Sequence, residues 1–252
     1  MRNVLVFITL VITILIALPH CHREETGVIK QTAALFIESP AHKTVPERFF
    51  AALHPVILQA NNQIWVDRQH LLSLQRQYEN SQKLSFFDSM WLDSLANKYG
   101  LKTFELTNAK HWEMLATRVD IVPAGLALAQ AATESGFGRS RFATLGNNLF
   151  GHSCFASGCG IAPRGQKAGT PYELQKFSSV QNSVELYLRN INTHRAYDFI
   201  RRARAVMRAK DTGLKAIALA EGLESYSERG HAYIRQIQTM IKRHGLENYT
   251  SL

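Results

Sequence analysis

Apolar positions recur at helical spacing along most of this chain. After Pro46, Phe49, Leu53, Val56, Ile57, Ile64, Leu71 and Leu72 follow a repeat near 3.6 residues through Gln77. This predicts one long helix, or two broken near Pro55, whose ring removes a backbone N–H. Ser85 opens a second helix with Trp91, Leu92, Leu95 and Tyr99 on one face and Gly100 as its stop, and His111 to Arg118 reads as a third. Pro123 then sits at the start of an Ala- and Leu-rich helix, Ala124 to Phe137, closed by Gly136 and Gly138.

The pattern changes after Leu145. Gly146-Asn147-Asn148 carries turn residues, and Ser153 to Thr170 is poor in apolar positions and punctuated by Gly158, Gly160, Gly165 and Gly169. With Tyr172 to Phe177 as a return strand, this stretch predicts a small β-hairpin walling one side of a cleft. Helical spacing resumes after Ser178 and Gln181, a capping-box pattern, with Val184, Tyr187, Leu188 and Ile191 inward and an end near His194. Tyr197 to Ala209 carries Arg201, Arg202, Arg204 and Arg208, read as a solvated basic face or one open to an anionic polymer. Leu214 to Leu223 is apolar, and Tyr233, Ile234, Ile237, Met240 and Ile241 form a final amphipathic stripe. The expected class is mainly α with a small β-lobe: residues 44–118 an N-terminal helical segment, residues 119–252 the principal domain.

Before these lies Val4 to Leu18, fifteen residues with nothing more polar than Thr9 and Thr13. A signal-peptide core needs roughly 7–15 apolar residues and a spanning helix about 20, so residues 1–22 read as an export signal or a short membrane anchor. Residues 23–43 read as a tether, and the body is expected in the periplasm or cell envelope. Export agrees with the cysteines: beyond Cys21 there are only Cys154 and Cys159, whose short loop an oxidising compartment would close as a disulfide. Zinc held by these cysteines with His152 and His194 is the alternative, but the spacing matches no standard zinc signature, so no metal and no cofactor is expected. The formal charge of +9, from 29 Lys and Arg against 20 Asp and Glu, calls for an anionic partner. No nucleic-acid-binding signature accompanies it, which leaves envelope polymers.

Candidate chemistry centres on Gln130-Ala131-Ala132-Thr133-Glu134-Ser135-Gly136-Phe137-Gly138, where one carboxyl ends an apolar helix beside glycines that let a polymer approach. Partial burial there raises a carboxyl's pKa, as a general acid requires. This motif, followed by Asn147-Asn148-Leu149-Phe150-Gly151 and the helix after Ser178-Ser179, resembles the glucosaminidase domain of glycoside hydrolase family 73, and within it the Bax-like proteins of Gram-negative bacteria. The resemblance covers roughly Val119 to Tyr249. It implies a lysozyme-like helical fold with a small β-lobe, acting on the β-1,4 bond between N-acetylglucosamine and N-acetylmuramic acid of peptidoglycan. It further implies Glu134 as catalytic acid, Gln130, Asn148, Phe150 and Gly151 as substrate-binding residues, and Tyr226 as an active-site tyrosine. The tyrosine motif departs from the family pattern: Tyr226 is followed by Ser227-Glu228-Arg229, and the next tyrosine, Tyr233, comes one position late.

An inverting mechanism also needs a carboxylate base about 6.5–9.5 Å from the acid. Between Glu134 and Glu185 the chain offers only Glu173, so either Glu173 is that base or the substrate's own N-acetyl group attacks the anomeric carbon. Arg139, Arg141, Arg164, Lys167 and Lys176 make the surrounding stretch positive, a steering field for peptide-stem carboxylates. Two rivals stand beside this reading. One is a muramidase or lytic transglycosylase on the same scaffold, against which the Asn-Asn-Leu-Phe-Gly loop argues. The other is a non-catalytic glycan-binding module, which would not need Glu134.

Overall fold

The structure, a computed structural model, describes residues 44–165 and 172–252; the apolar leader, the tether and Lys167 lie outside the described residues. It begins with α1 (Val45–Ser81), whose first turn is closed by Thr44 N–H donating to the Glu47 carboxylate at 2.8 Å. Of the two forms expected for this region, the single helix is found. Pro55 and Ala51, whose carbonyl loses its partner to the proline, both lie on the exposed face, so the freed group is open to solvent and the helix continues.

Next come α2 (Phe86–Lys98), capped by Ser85, α3 (Ala109–Arg118), and α4 (Ala124–Ser135). Every residue of α4 from Ala124 to Ala132 is buried, making it the central helix. Its small side chains allow that: a Cβ on Gly125 would meet the Leu246 carbonyl oxygen at 2.4 Å. Helix α4 is wrapped by α1, by α9 (His231–Arg243) and by the 3₁₀ turn Leu246–Asn248. A continuous apolar core runs from Phe49 on α1 to Leu246, so the N-terminal segment and the principal domain share one interior.

After α4 come a short α5 (Arg141–Gly146), the β-lobe, α6 (Val180–Thr193) capped by Ser179, and α7 (Asp198–Ala209). Then follow the one-turn α8 (Ala216–Leu219) and a 3₁₀ stretch, Ala220–Tyr226, leading to α9. The β-lobe is not the two-stranded hairpin expected. Strands β1 (Ser153–Cys154) and β2 (Gly160–Ile161) both pair antiparallel with β3 (Glu173–Gln175), which is central. Leu174 faces Ser153 on one side and Ile161 on the other. The Cys154–Cys159 disulfide closes the loop between the two outer strands. The whole is the mainly helical, lysozyme-like arrangement with a small β-lobe.

The basic face of α7 departs from expectation. Arg201 and Arg204 are 5% and 1% exposed, so neither serves solvent nor a polymer. The reason is a set of orphan carbonyls: Arg204 donates to the main-chain oxygens of Thr117, Asp120 and Ile121 at 2.8–3.1 Å and to Asn192 Oδ1 at 2.8 Å. These include the end of α3, where helix carbonyls have no partner of their own. Arg208 holds the Asp120 carboxylate with two hydrogen bonds, at 2.8 and 3.1 Å, and Arg68 of α1 approaches it to 3.8 Å. Among the described residues no helix is long and apolar enough to cross a membrane.

Candidate active site

Glu134 occupies the last turn of α4, half-buried, and the backbone beyond it is tightly fixed. Gly136, Phe137 and Gly138 have φ of 59°, 58° and 75°, a left-handed run that reverses the chain at once. For Phe137 this conformation is costly. Its ring is held edge-on against Phe49 and Phe50, both with centroids at 5.9 Å, while Ser135 Oγ accepts from Gly138 N–H at 2.7 Å. Packing therefore overrides the local preference, and the carboxyl is presented at a corner instead of along a continuing helix.

The Asn147–Gly151 loop forms the facing wall. Asn147 adopts φ 51° and donates to the Phe177 carbonyl at 3.0 Å. Asn148 is 2% exposed: its Oδ1 accepts from His152 N–H, and its Nδ2 donates to the carbonyls of His152 and Gln175. Phe150 is also 2% exposed, stacked on Tyr187 with centroids 4.1 Å apart. Gln130 is fully buried on α4, so of the residues expected at the substrate these three have their side chains inside the wall and not on its surface. Gly151 is the exposed member of that set, and a Cβ there would lie 3.7 Å from Glu134 Oε2.

Gln130 has another task. Its Oε1 accepts from the Tyr187 hydroxyl at 2.7 Å, and its Nε2 donates to the Tyr233 oxygen at 3.1 Å. That polarity leaves the Tyr233 proton free to turn toward Glu134, whose carboxyl the Tyr233 hydroxyl helps to hold down. Burial pushes the Glu134 carboxyl above its ordinary value, and the Tyr233 hydrogen bond and the Arg229 charge pull it back only in part. Tyr226 plays a different part: its hydroxyl donates to the Phe150 carbonyl at 2.9 Å and its ring stacks on Tyr233 at 5.4 Å. Tyr226 thus clamps the loop, and the tyrosine whose hydroxyl acts on the acid is Tyr233. Sequence reasoning treated Tyr233 as core stripe and displaced second tyrosine; the pairing of two tyrosines across Gly230 was the available signal.

Glu173 is placed in β3, with its carboxylate against the disulfide loop. Its two oxygens accept from Gly158 N–H at 3.3 Å and Gly160 N–H at 2.7 Å, so both are occupied in shaping the turn. Donor atoms of Cys154, Cys159 and Glu173 lie within 4.8 Å of one another, but the sulfurs are bonded to each other, which removes them as metal ligands. His152, which with His194 completed the zinc alternative, is driven by burial down to about 4 and is neutral at pH 7; its Nε2 has no partner.

Residues 109–246 match the glucosaminidase family model, described as mannosyl-glycoprotein endo-beta-N-acetylglucosaminidase. The chain belongs to the glucosaminidase family. It is also 36% identical over 194 residues to Protein bax of Escherichia coli (strain K12), covering 77% of this chain and 68% of that protein. No solved structure matches. The glucosaminidase match contains Glu134, the Asn147–Gly151 wall and all three tyrosines of the network, whereas α1 and α2 precede it.

Proposed function

We propose that this glucosaminidase cleaves peptidoglycan glycan strands at the β-1,4 bond between N-acetylglucosamine and N-acetylmuramic acid, with Glu134 as the proton donor. The observation that carries this reading is the raised carboxyl of Glu134 beside the exposed Gly151. A carboxyl that burial holds above the ordinary carboxylate range keeps its proton to higher pH and can pass it to the leaving sugar oxygen as the C–O bond breaks. Gly151, lacking a side chain, leaves room for a pyranose against it.

The occupied oxygens of Glu173 favour the second of the two mechanisms considered. The substrate N-acetyl oxygen attacks the anomeric carbon, water then opens the cyclic intermediate, and the Glu134 carboxylate takes the proton back. Glu173→Gln is then expected to keep most of the activity, and a loss as large as that of Glu134→Gln would reinstate the two-carboxylate scheme. Mass spectrometry of fragments released from purified cell wall tests the bond: a new reducing end at N-acetylglucosamine is expected, while one at N-acetylmuramic acid would assign a muramidase and an anhydro-N-acetylmuramic acid end, lighter by one water, a transglycosylase. A zymogram without clearing would leave the glycan-binding module.

The proposal includes an envelope location, supported by the apolar run Val4 to Leu18 as signal or membrane anchor. Alkaline phosphatase fused after Pro40 is expected to be active, and an inactive fusion would overturn this.

A further inference from the structure

A cavity of about 750 Å³ lies away from Glu134, where the N-terminal helical segment meets the glucosaminidase domain. Its walls are α1, the end of α2, the exit of β3 and one face of α6. Carboxamides converge on it: Gln59 and Gln63 from α1, Gln175 beyond the sheet centre, Gln181 and Asn182 from α6. Such groups pair with peptide N–H and C=O alike. The charges are unequal. Lys98 is tied to Asp67 at 3.0 Å and Glu185 accepts from Gln181 at 2.8 Å, while Lys176 and Arg189 are exposed with no carboxylate partner among the described residues.

No aromatic face is offered: the two rings at this cavity, Tyr99 and Phe177, are 2% and 7% exposed. A sugar ring ordinarily buries its C–H face against such a plane, so a glycan is a poor fit. A chain of amides bearing carboxylates fits the amides and the excess of Lys176 and Arg189 over the one unpaired carboxylate among the described lining residues, Glu185. The cavity is also coupled to the candidate active site, because the Gln175 carbonyl at its wall is held by Asn148, in the loop that ends at Gly151 beside Glu134.

We infer that this seam is an accessory site for the acidic peptide stems of peptidoglycan, built jointly by the N-terminal segment and the glucosaminidase domain. The inference rests on the peptidoglycan reading above, and it gives α1 and α2 a role in substrate recognition. The probe is the free stem peptide, released from purified wall by an amidase, titrated calorimetrically into the full chain at low salt. Binding is expected in the parent and in Glu134→Gln. It should weaken about three- to fivefold in Arg189→Glu and again in Arg189→Glu with Lys176→Glu, each exposed charge contributing modestly. Lys110→Glu, an exposed cation on α3, controls for net charge. Absence of binding, binding that the two reversals leave unchanged, or an equal loss in Lys110→Glu overturns the inference. Zymogram clearing without seam binding overturns this inference alone, and seam binding without clearing overturns the proposed function alone.

Discussion

Asp120 and Glu134 are both drawn away from bulk water, and their neighbours give the two carboxyls opposite characters. Asp120 is 2% exposed among Arg204, Arg208 and Arg68; burial pushes its carboxyl up, but the three guanidiniums hold it below the ordinary range. Glu134 is half-buried beside one hydroxyl and the charge of Arg229, and there burial prevails. Desolvation alone therefore does not make an acid: a carboxyl ringed by cations stays ionised and serves as a brace, whereas one given mainly a neutral donor keeps a proton it can deliver. Arg204 bears the cost of the brace, since burial brings its own pKa down to about 10.

The comparison is open to experiment, the largest effect first. Glu134→Gln keeps shape and hydrogen-bonding capacity but has no proton to give, so muropeptide release should fall by about 10²- to 10⁴-fold. Release within about tenfold of the parent, from protein folded by circular dichroism, removes Glu134 from the chemistry.

Asp120→Asn should instead act on stability, leaving Arg204 buried without its counter-charge and costing about 3–5 kcal/mol in urea unfolding at pH 7. The pH dependence has a definite sign. The folded carboxyl titrates below its unfolded value near 3.8, so its contribution is present above that pH and is lost as pH falls through the folded value. The gap between parent and variant should narrow only in that acid window, and a gap that is constant down to acid pH would deny the brace its electrostatic origin.

A smaller effect separates the tyrosines. Removing the Tyr233 donor in Tyr233→Phe withdraws support from the ionised Glu134, so the alkaline limb of the pH–rate profile should move to higher pH. Tyr226→Phe should leave that limb in place, because its hydroxyl goes to Phe150; identical shifts in both variants would erase the distinction.

The smallest effect is thermal. With its folded pKa above 4.5, Glu134 lowers stability as pH rises through the folded value, so Glu134→Gln should melt no lower than the parent at pH 7. A clear drop would mean that the carboxyl is structural after all.

The sequence by itself determined the helices, the family and the place of Glu134 at the end of an apolar helix. Each depends on short-range regularity: apolar spacing from Phe49 to Leu72, the Ser85 cap with its Gly100 stop, and contiguous motifs around Glu134 and Asn148. The strand order, the buried arginines of α7, the inward turn of Gln130, Asn148 and Phe150, and the choice of Tyr233 over Tyr226 were decided by the tertiary structure. The physical reason is common to all four. A polar side chain's role depends on which distant backbone or hydroxyl it meets, as Arg204 meets Ile121 and Gln130 meets Tyr187 and Tyr233. Such pairings leave no periodic trace, because only the packed core brings the partners within hydrogen-bonding distance.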